Sequence, residues 1–234
     1  MATSGSYNFG MQRDDIITEA LEICGAIAIG ETPTDDHIAS AARTLNLLVK
    51  AWQADGLQLF RRKNYTVTLV ASDKDYVFGT GGTVTEVPTR ILHVFRRTSD
   101  DQDIEVSLLS DQEYQTMTAK SIESNPVTSY YYDYQGTYGT LYVWPTPKTG
   151  VTDTLIVRGE RPIYDFDSAT DDADVPNYYF MALVYGLAMA MLPKWGVEEM
   201  QAQRIERLAT YYKNEALTYD VEYNTSLKIE PKRH

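Results

Sequence analysis

Two hydrophobic rhythms, one set inside the other, constrain what this chain can fold into. Residues 13–28 and 33–54 space their apolar side chains three and four apart, and residues 176–192 and 197–219 do so again. Between Tyr65 and Pro162 the period falls to two, through Tyr65-Val67-Leu69, Tyr76-Phe78, Ile91-His93-Phe95 and Ile104-Val106-Leu108, then residues 129–134, 140–144 and 154–158. Turn residues at 79–82, 136–139 and 145–150 punctuate these runs. Helices distant in sequence must then close on one another around an insertion. The expected fold is α+β: a helical bundle formed by N- and C-terminal helices, an inserted antiparallel β subdomain of about seven strands, and an extended C-terminal arm. The segments are 1–60, 61–164 with one short helix, 165–220, and 221–234 for the arm.

The joint between helix and strands is written in residues 45–57. Ile38, Ala41, Leu45, Leu48 and Trp52 lie along one helical face that must be buried. Thr32-Pro33-Thr34-Asp35 offers Thr32 as N-cap, proline at the first helical position and a carboxylate three residues past the cap, while Gly56 suits the left-handed close. Ser110 and Glu113 form a capping box for the short helix.

The 234 residues are 43% hydrophobic, enough for a sizeable core, and carry 21 basic against 33 acidic side chains, a net charge of -12. Such a surface disfavours sequence-independent binding to phosphate backbones. Residues 1–10 lack the charged-then-apolar order of a secretory signal and read as a flexible lead-in, and the apolar run 178–193 is too short to span a bilayer, so it suits a buried helix. Cys24, the only cysteine, falls beside Leu21 and Ala28 as a small buried thiol.

Residue types for chemistry are sparse. The three histidines, His37, His93 and His234, are scattered, and no phosphate-binding glycine motif precedes a helix. Five carboxylates crowd residues 165–174, but Thr170 stands at the glycine position of a calcium loop and Pro176 at its bidentate glutamate; Asp172 and Asp174 read instead as favourable charges before the third long helix. No metal or cofactor is expected. Eighteen tyrosines, with Tyr130, Tyr131, Tyr132 and Tyr134 in one strand, fit strand propensity and buried assembly contacts better than a ligand platform. Arg61-Arg62-Lys63 and Arg96-Arg97 are compact basic clusters suited to a solvated face or an intersubunit ion pair. After Tyr219 the alternation of residues 221–229 has no local partner, which suits either a partner-binding arm or a frayed terminus, and from Val221 to His234 three basic residues against two acidic ones reverse the sign of the body.

Gly30-Glu31-Thr32-Pro33, Leu45-Asn46, Ala51-Trp52-Gln53-Ala54-Asp55-Gly56-Leu57, Tyr142-Val143-Trp144-Pro145-Thr146-Pro147 and Arg161-Pro162-Ile163 recur in an order that resembles the head-to-tail adaptors of short-tailed bacteriophages. These are the tail accessory factors, or packaged-DNA stabilisation proteins. The resemblance runs from about Arg13 to Pro193. It implies a structural virion protein, assembled in the host cytoplasm, of which about twelve copies ring the underside of the portal protein. The ring closes the filled head, docks the downstream tail or nozzle protein, and lets packaged DNA pass an acidic lumen without specific binding; no membrane and no cofactor are involved. On this reading Tyr223, Leu227, Lys228, Ile229, Lys232 and Arg233 form a portal-binding arm, and Arg61, Arg62, Tyr130, Tyr131, Tyr132 and Tyr134 are intersubunit or tail-docking candidates. The alternatives are a tail-associated peptidoglycan hydrolase, for which Glu19 and Glu22 share a helix face, and a tyrosine-rich glycan-binding module.

Overall fold

A computed structural model describes residues 4–6, 8–54 and 59–220. The expected arm, 221–234, and the helix stop at Gly56 lie outside the described residues. Among those described, the helices are α1 (Arg13–Ile23), α2 (Asp35–Ala54), α3 (Asp111–Thr116), α4 (Phe180–Trp195) and α5 (Glu199–Tyr219). The strands are β1 (Arg62–Thr68), β2 (Asp75–Phe78), β3 (Arg90–Arg97), β4 (Asp103–Glu105), β5 (Ser107–Leu108), β6 (Ser129–Tyr134), β7 (Gly139–Trp144) and β8 (Thr154–Glu160). They sort into two compact units, Met1–Phe60 with Ile163–His234, and Arg61–Pro162.

The helical unit is organised by α4, the apolar run singled out in the sequence, which is buried at Ala182, Leu183, Leu187, Ala188 and Met191 and packs against α1, α2 and α5. Ile16, Ile17, Ala20 and Leu21 of α1 and Ala41, Leu45, Val49 and Trp52 of α2 fill the same core. Each of the buried leucine, isoleucine, valine and methionine side chains contributes about 1.5–3 kcal/mol by leaving water. Ile38 and Leu48, expected on the buried face of α2, flank it half-buried. α2 approaches α4 closely because Gly186 has no side chain: a Cβ there would stand 3.2 Å from both Leu48 and Trp52.

Two helix ends differ from the sequence reading. α1 stops at Ile23 and not at residue 28, because Gly25 adopts φ +73°. Its amide bonds Glu22 O at 3.0 Å and the Ala26 amide bonds Leu21 O at 2.9 Å, which satisfies two carbonyls the helix leaves open. α2 is capped by Thr34, whose hydroxyl accepts the His37 amide at 3.3 Å, so Thr32 lies outside the helix. The loop between them is held by carboxylates, Glu22 accepting from Gly30 N at 2.9 Å and Glu31 from Ala28 N at 2.8 Å.

The returning chain is clasped by one polar row of α2. Asn46 bonds Phe166 through both its backbone groups (2.9 and 3.1 Å), Lys50 Nζ donates to Ile163 O at 2.9 Å, and Gln53 Oε1 accepts from Ile163 N at 3.1 Å. Their spacing of four and three lines them along one edge of the helix.

The β unit is a sandwich of two four-stranded sheets, ordered β1-β8-β3-β4 and β2-β7-β6-β5. Tyr65, Val67, Val94, Leu155 and Val157 from the first meet Tyr76, Phe78, Tyr130, Leu141 and Val143 from the second in one core. The strands pair antiparallel, as expected of the inserted subdomain, apart from the two-residue β5, which runs parallel to β6. The cause lies in residues 104–108, read as one strand: at Val106 the chain leaves the first sheet for the second. The Val106 amide still bonds Val94 O at 2.9 Å, its side chain enters the core, and the Ser107 amide bonds Thr128 O at 2.9 Å. α3 carries the expected reciprocal cap, Glu113 N on Ser110 Oγ at 3.3 Å and Ser110 N on Glu113 Oε2 at 2.8 Å.

Replacing Gly186 by Val is expected to destabilise the protein by about 1–3 kcal/mol through overpacking against Leu48 and Trp52, measured as a lower urea midpoint at unchanged slope.

Candidate assembly surfaces

The sequence candidates part company in the structure. Arg61 was expected at a contact between chains, but it is 1% exposed. It donates from Nε to Arg161 O at 2.9 Å and from Nη2 to Thr89 Oγ1 at 2.8 Å, and burial, opposed by the nearby Glu160 carboxylate, lowers its pKa. Its backbone carbonyl also accepts the Arg161 amide at 2.8 Å, tying the first residue of the β unit to the last turn of chain before it ends. This is an internal clasp, which removes Arg61 from any docking surface; Arg62 stays half-buried at the start of β1.

The tyrosines of β6 alternate as a strand demands. Tyr130 is 3% exposed within the sandwich, so it too is a core residue and not a docking one, and Tyr132 packs half-buried against the same core, its hydroxyl on Pro88 O at 3.3 Å. Tyr131 faces the other way and joins a stack with Tyr114 (4.9 Å) and Tyr142 (6.0 Å), while Tyr114 and Tyr142 stand 5.0 Å apart. Lys120 covers the Tyr114 ring at 4.6 Å. The rings seat α3 on the sheet and cover one another's faces. Burial, followed by the hydrogen bond Tyr131 donates to Asp111 at 2.9 Å, pushes the Tyr131 phenol up to about 12. Tyr134, at the strand end, remains 47% exposed.

Charged groups find partners within the chain. Arg96 pairs with Asp153 at 2.6 Å, and Arg97 grips both oxygens of Asp103 at 2.7 Å, holding that carboxyl below its ordinary range. In the acidic stretch, Asp171 Oδ2 accepts the Asp167 and Ser168 amides at 2.7 and 2.6 Å, Asp165 meets Lys50 at 2.7 Å, and Asp174 accepts the Tyr164 amide at 3.0 Å. Asp174 therefore closes a loop instead of meeting the start of α4. Among the described residues no three His, Cys, Asp or Glu gather as metal ligands. A register shift between Ile91 and His93 splits the expected common face: Ile91 packs on the core, while His93 is exposed, stacked on Phe95 at 6.1 Å with Glu105 at 3.7 Å.

Other features the sequence did not disclose lie on the helical unit. Asp220, at the end of α5, is 7% exposed and accepts the Tyr179 hydroxyl at 3.2 Å, with the Tyr178 hydroxyl at 3.5 Å. Burial and the Asp220 charge raise the Tyr179 pKa. A groove of about 500 Å³ runs along α4 between α2 and α5, lined by Leu48, Trp52, Met189, Ala209, Lys213 and Leu217. The outer face of α5 presents Glu206, Arg207, Tyr211 and Asn214 at helical spacing. Among the described residues no helix is long and apolar enough to cross a membrane.

Polar groups turned inward within each unit, with apolar and aromatic side chains left on helix faces and loop tips, equip a protein for fitting against other chains. Comparison with known families agrees. The chain belongs to the SU10 adaptor protein family of phage head-to-tail adaptors, whose model matches residues 11–226, so the resemblance read from the sequence is borne out. No curated protein matches it. It is a structural adaptor of a phage particle.

Two outcomes follow from the buried groups. Arg61→Met leaves Glu160 buried without its neighbouring cation and is expected to cost about 3 kcal/mol of unfolding free energy, read by urea denaturation. Because the Tyr131 pKa is raised in the fold from 10.0 to about 12, its contribution to stability is complete below pH 10 and is lost as pH rises toward 12. Tyr131→Phe is expected to remove a component near pH 12 from the phenolate absorbance titration.

Proposed function

We propose that the protein is the ring-forming adaptor between phage head and tail: about twelve copies sit beneath the portal, close the DNA-filled head, and offer their outer face to the next tail component. It assembles in the host cytoplasm and remains at the head-tail junction of the virion. The observation that carries this reading is the family match across nearly the whole chain, joined to helix faces that keep Met200, Leu47 and Tyr211 between 58% and 77% exposed.

A ring distributes a large interface over many weak lateral contacts, each strengthened when a template holds its neighbours in place. The portal is that template. The segment carrying Tyr223, Leu227, Lys228, Ile229, Lys232 and Arg233 is the portal-binding arm. Arg62, Tyr131 and Tyr134 serve as the intersubunit or tail-docking residues of this reading. The net charge of -12 fits a lumen that DNA traverses, since few counterions are released on contact and the duplex slides without sticking. No step of chemistry is needed, and the work is done by shape.

The test is mass measurement of the purified protein with and without portal. The expected result is little self-association alone and a saturating ring on the portal, while the chain lacking 221–234 stays folded and fails to join. A full-length protein that adds no mass to the portal would overturn the reading.

A further inference from the structure

The turn between α1 and α2 holds an isoleucine out in water. Ile29 is 92% exposed, more than any other large apolar side chain among the described residues. Its backbone is nonetheless fixed. The Glu31 amide bonds Ala28 O at 2.9 Å, so residues 28–31 form a tight turn with Ile29 second and Gly30 third, at the positive φ of +80° that a type II turn requires there. Two carboxylates pin the turn: Glu31 accepts the Ala28 amide at 2.8 Å and Glu22 the Gly30 amide at 2.9 Å. Ile27, 7% exposed, roots it in the helical core. A single exposed aliphatic side chain is ordinary. One with a stiff χ1 at the tip of a pinned turn is a preorganised anchor, since it has little freedom left to lose on burial.

The helical unit also carries a hollow that suits such an anchor. A groove of about 450 Å³, bounded by the end of α1, by α4 and by the first half of α5, is lined by Ile23, Tyr185, Ile205 and Leu208, with Met200 on its lip, 77% exposed. Ile29 of the same chain, exposed as it is, does not fill it. Two charges stand on the groove wall. Glu198 precedes the first turn of α5, where the positive end of the helix answers a carboxylate. Arg204 makes no ion pair among the described residues. The turn offers the complementary sign: residues 25–36 carry Glu31, Asp35 and Asp36 and no basic side chain.

We infer that Ile29 of one copy seats in this groove of the next copy in the ring, with Arg204 meeting the carboxylates that follow the isoleucine. The inference rests on the ring reading above. A knob and a hollow at different places on one chain make a head-to-tail contact, the kind that repeats around an axis and not the kind that closes a two-fold pair. An ion pair at a wet rim contributes little beside a buried aliphatic side chain, so the isoleucine carries the affinity and the charges set the orientation.

The test uses the full chain, with Cys24→Ala in every cross-linking sample and Ile29→Cys and Met200→Cys on separate proteins. The two are mixed, assembled on the portal, treated with a short bismaleimide and resolved on a denaturing gel. The expected product is a covalent dimer of one of each, absent when either variant assembles alone. Ile29→Asp is expected to weaken ring formation about tenfold while its urea midpoint stays that of the unaltered protein, because the side chain it replaces faces solvent in the free chain. Arg204→Glu is expected to weaken assembly less, with a loss that shrinks as salt is raised. No mixed dimer in protein that mass measurement shows to be on the portal, or unchanged assembly of Ile29→Asp, would overturn the inference and leave the ring standing. Protein that never joins the portal overturns the ring reading, and the inference falls with it.

Discussion

The fold depends on closing a helical bundle whose two halves are separated by the whole β unit. The polar row on α2 does the closing. Gln53 and Ile163 stand 110 residues apart in sequence, yet the side chain of one accepts the amide of the other at 3.1 Å, and Lys50 and Asn46 carry the same stitching on to Phe166. A backbone returning to a helix in irregular conformation has no ladder to join, so its amides and carbonyls must be met by side chains or left costly. That requirement, more than hydrophobic burial, specifies where the second half of the bundle begins.

A matching device closes the β unit from its own side. Arg61 and Arg161 bond backbone to backbone and side chain to backbone, so the strands at the start and finish of the insertion are held as neighbours. A guanidinium suits this position because its donors lie in one rigid plane and can address a carbonyl and a hydroxyl together. An ammonium would meet one at a time.

Much of the fold was legible because hydrophobic period reports which face of an element is buried, and α4 and the alternating strands stand where that period puts them. What was not legible depends on partners distant in sequence. Arg61 looks like a surface cation until Thr89 and Arg161 surround it. Val106 continues the alternation of its neighbours, so nothing local signals that the chain changes sheets there. Gly25 was a readable stop for α1 that helical spacing alone ran past. The residues behind the resemblance now have a physical account: Asn46, Gln53, Arg161 and Ile163 belong to the two clasps, and Trp52 packs where Gly186 lets α4 approach. The assembly candidates were the least legible, since tyrosine alternates between core and surface and only the register of β6 separates Tyr130 from Tyr131.

The change of sheet at Val106 has a mechanical meaning for a structural protein of a phage particle. Two stacked sheets joined only by loops can slide past each other, because the layer between them is greased by side chains and has no directional bonds. Here a single continuous stretch is hydrogen-bonded into one layer by β4 and into the other by β5. Force delivered to either layer is thereby shared with its partner through covalent backbone, and shear between them must break two ladders at once.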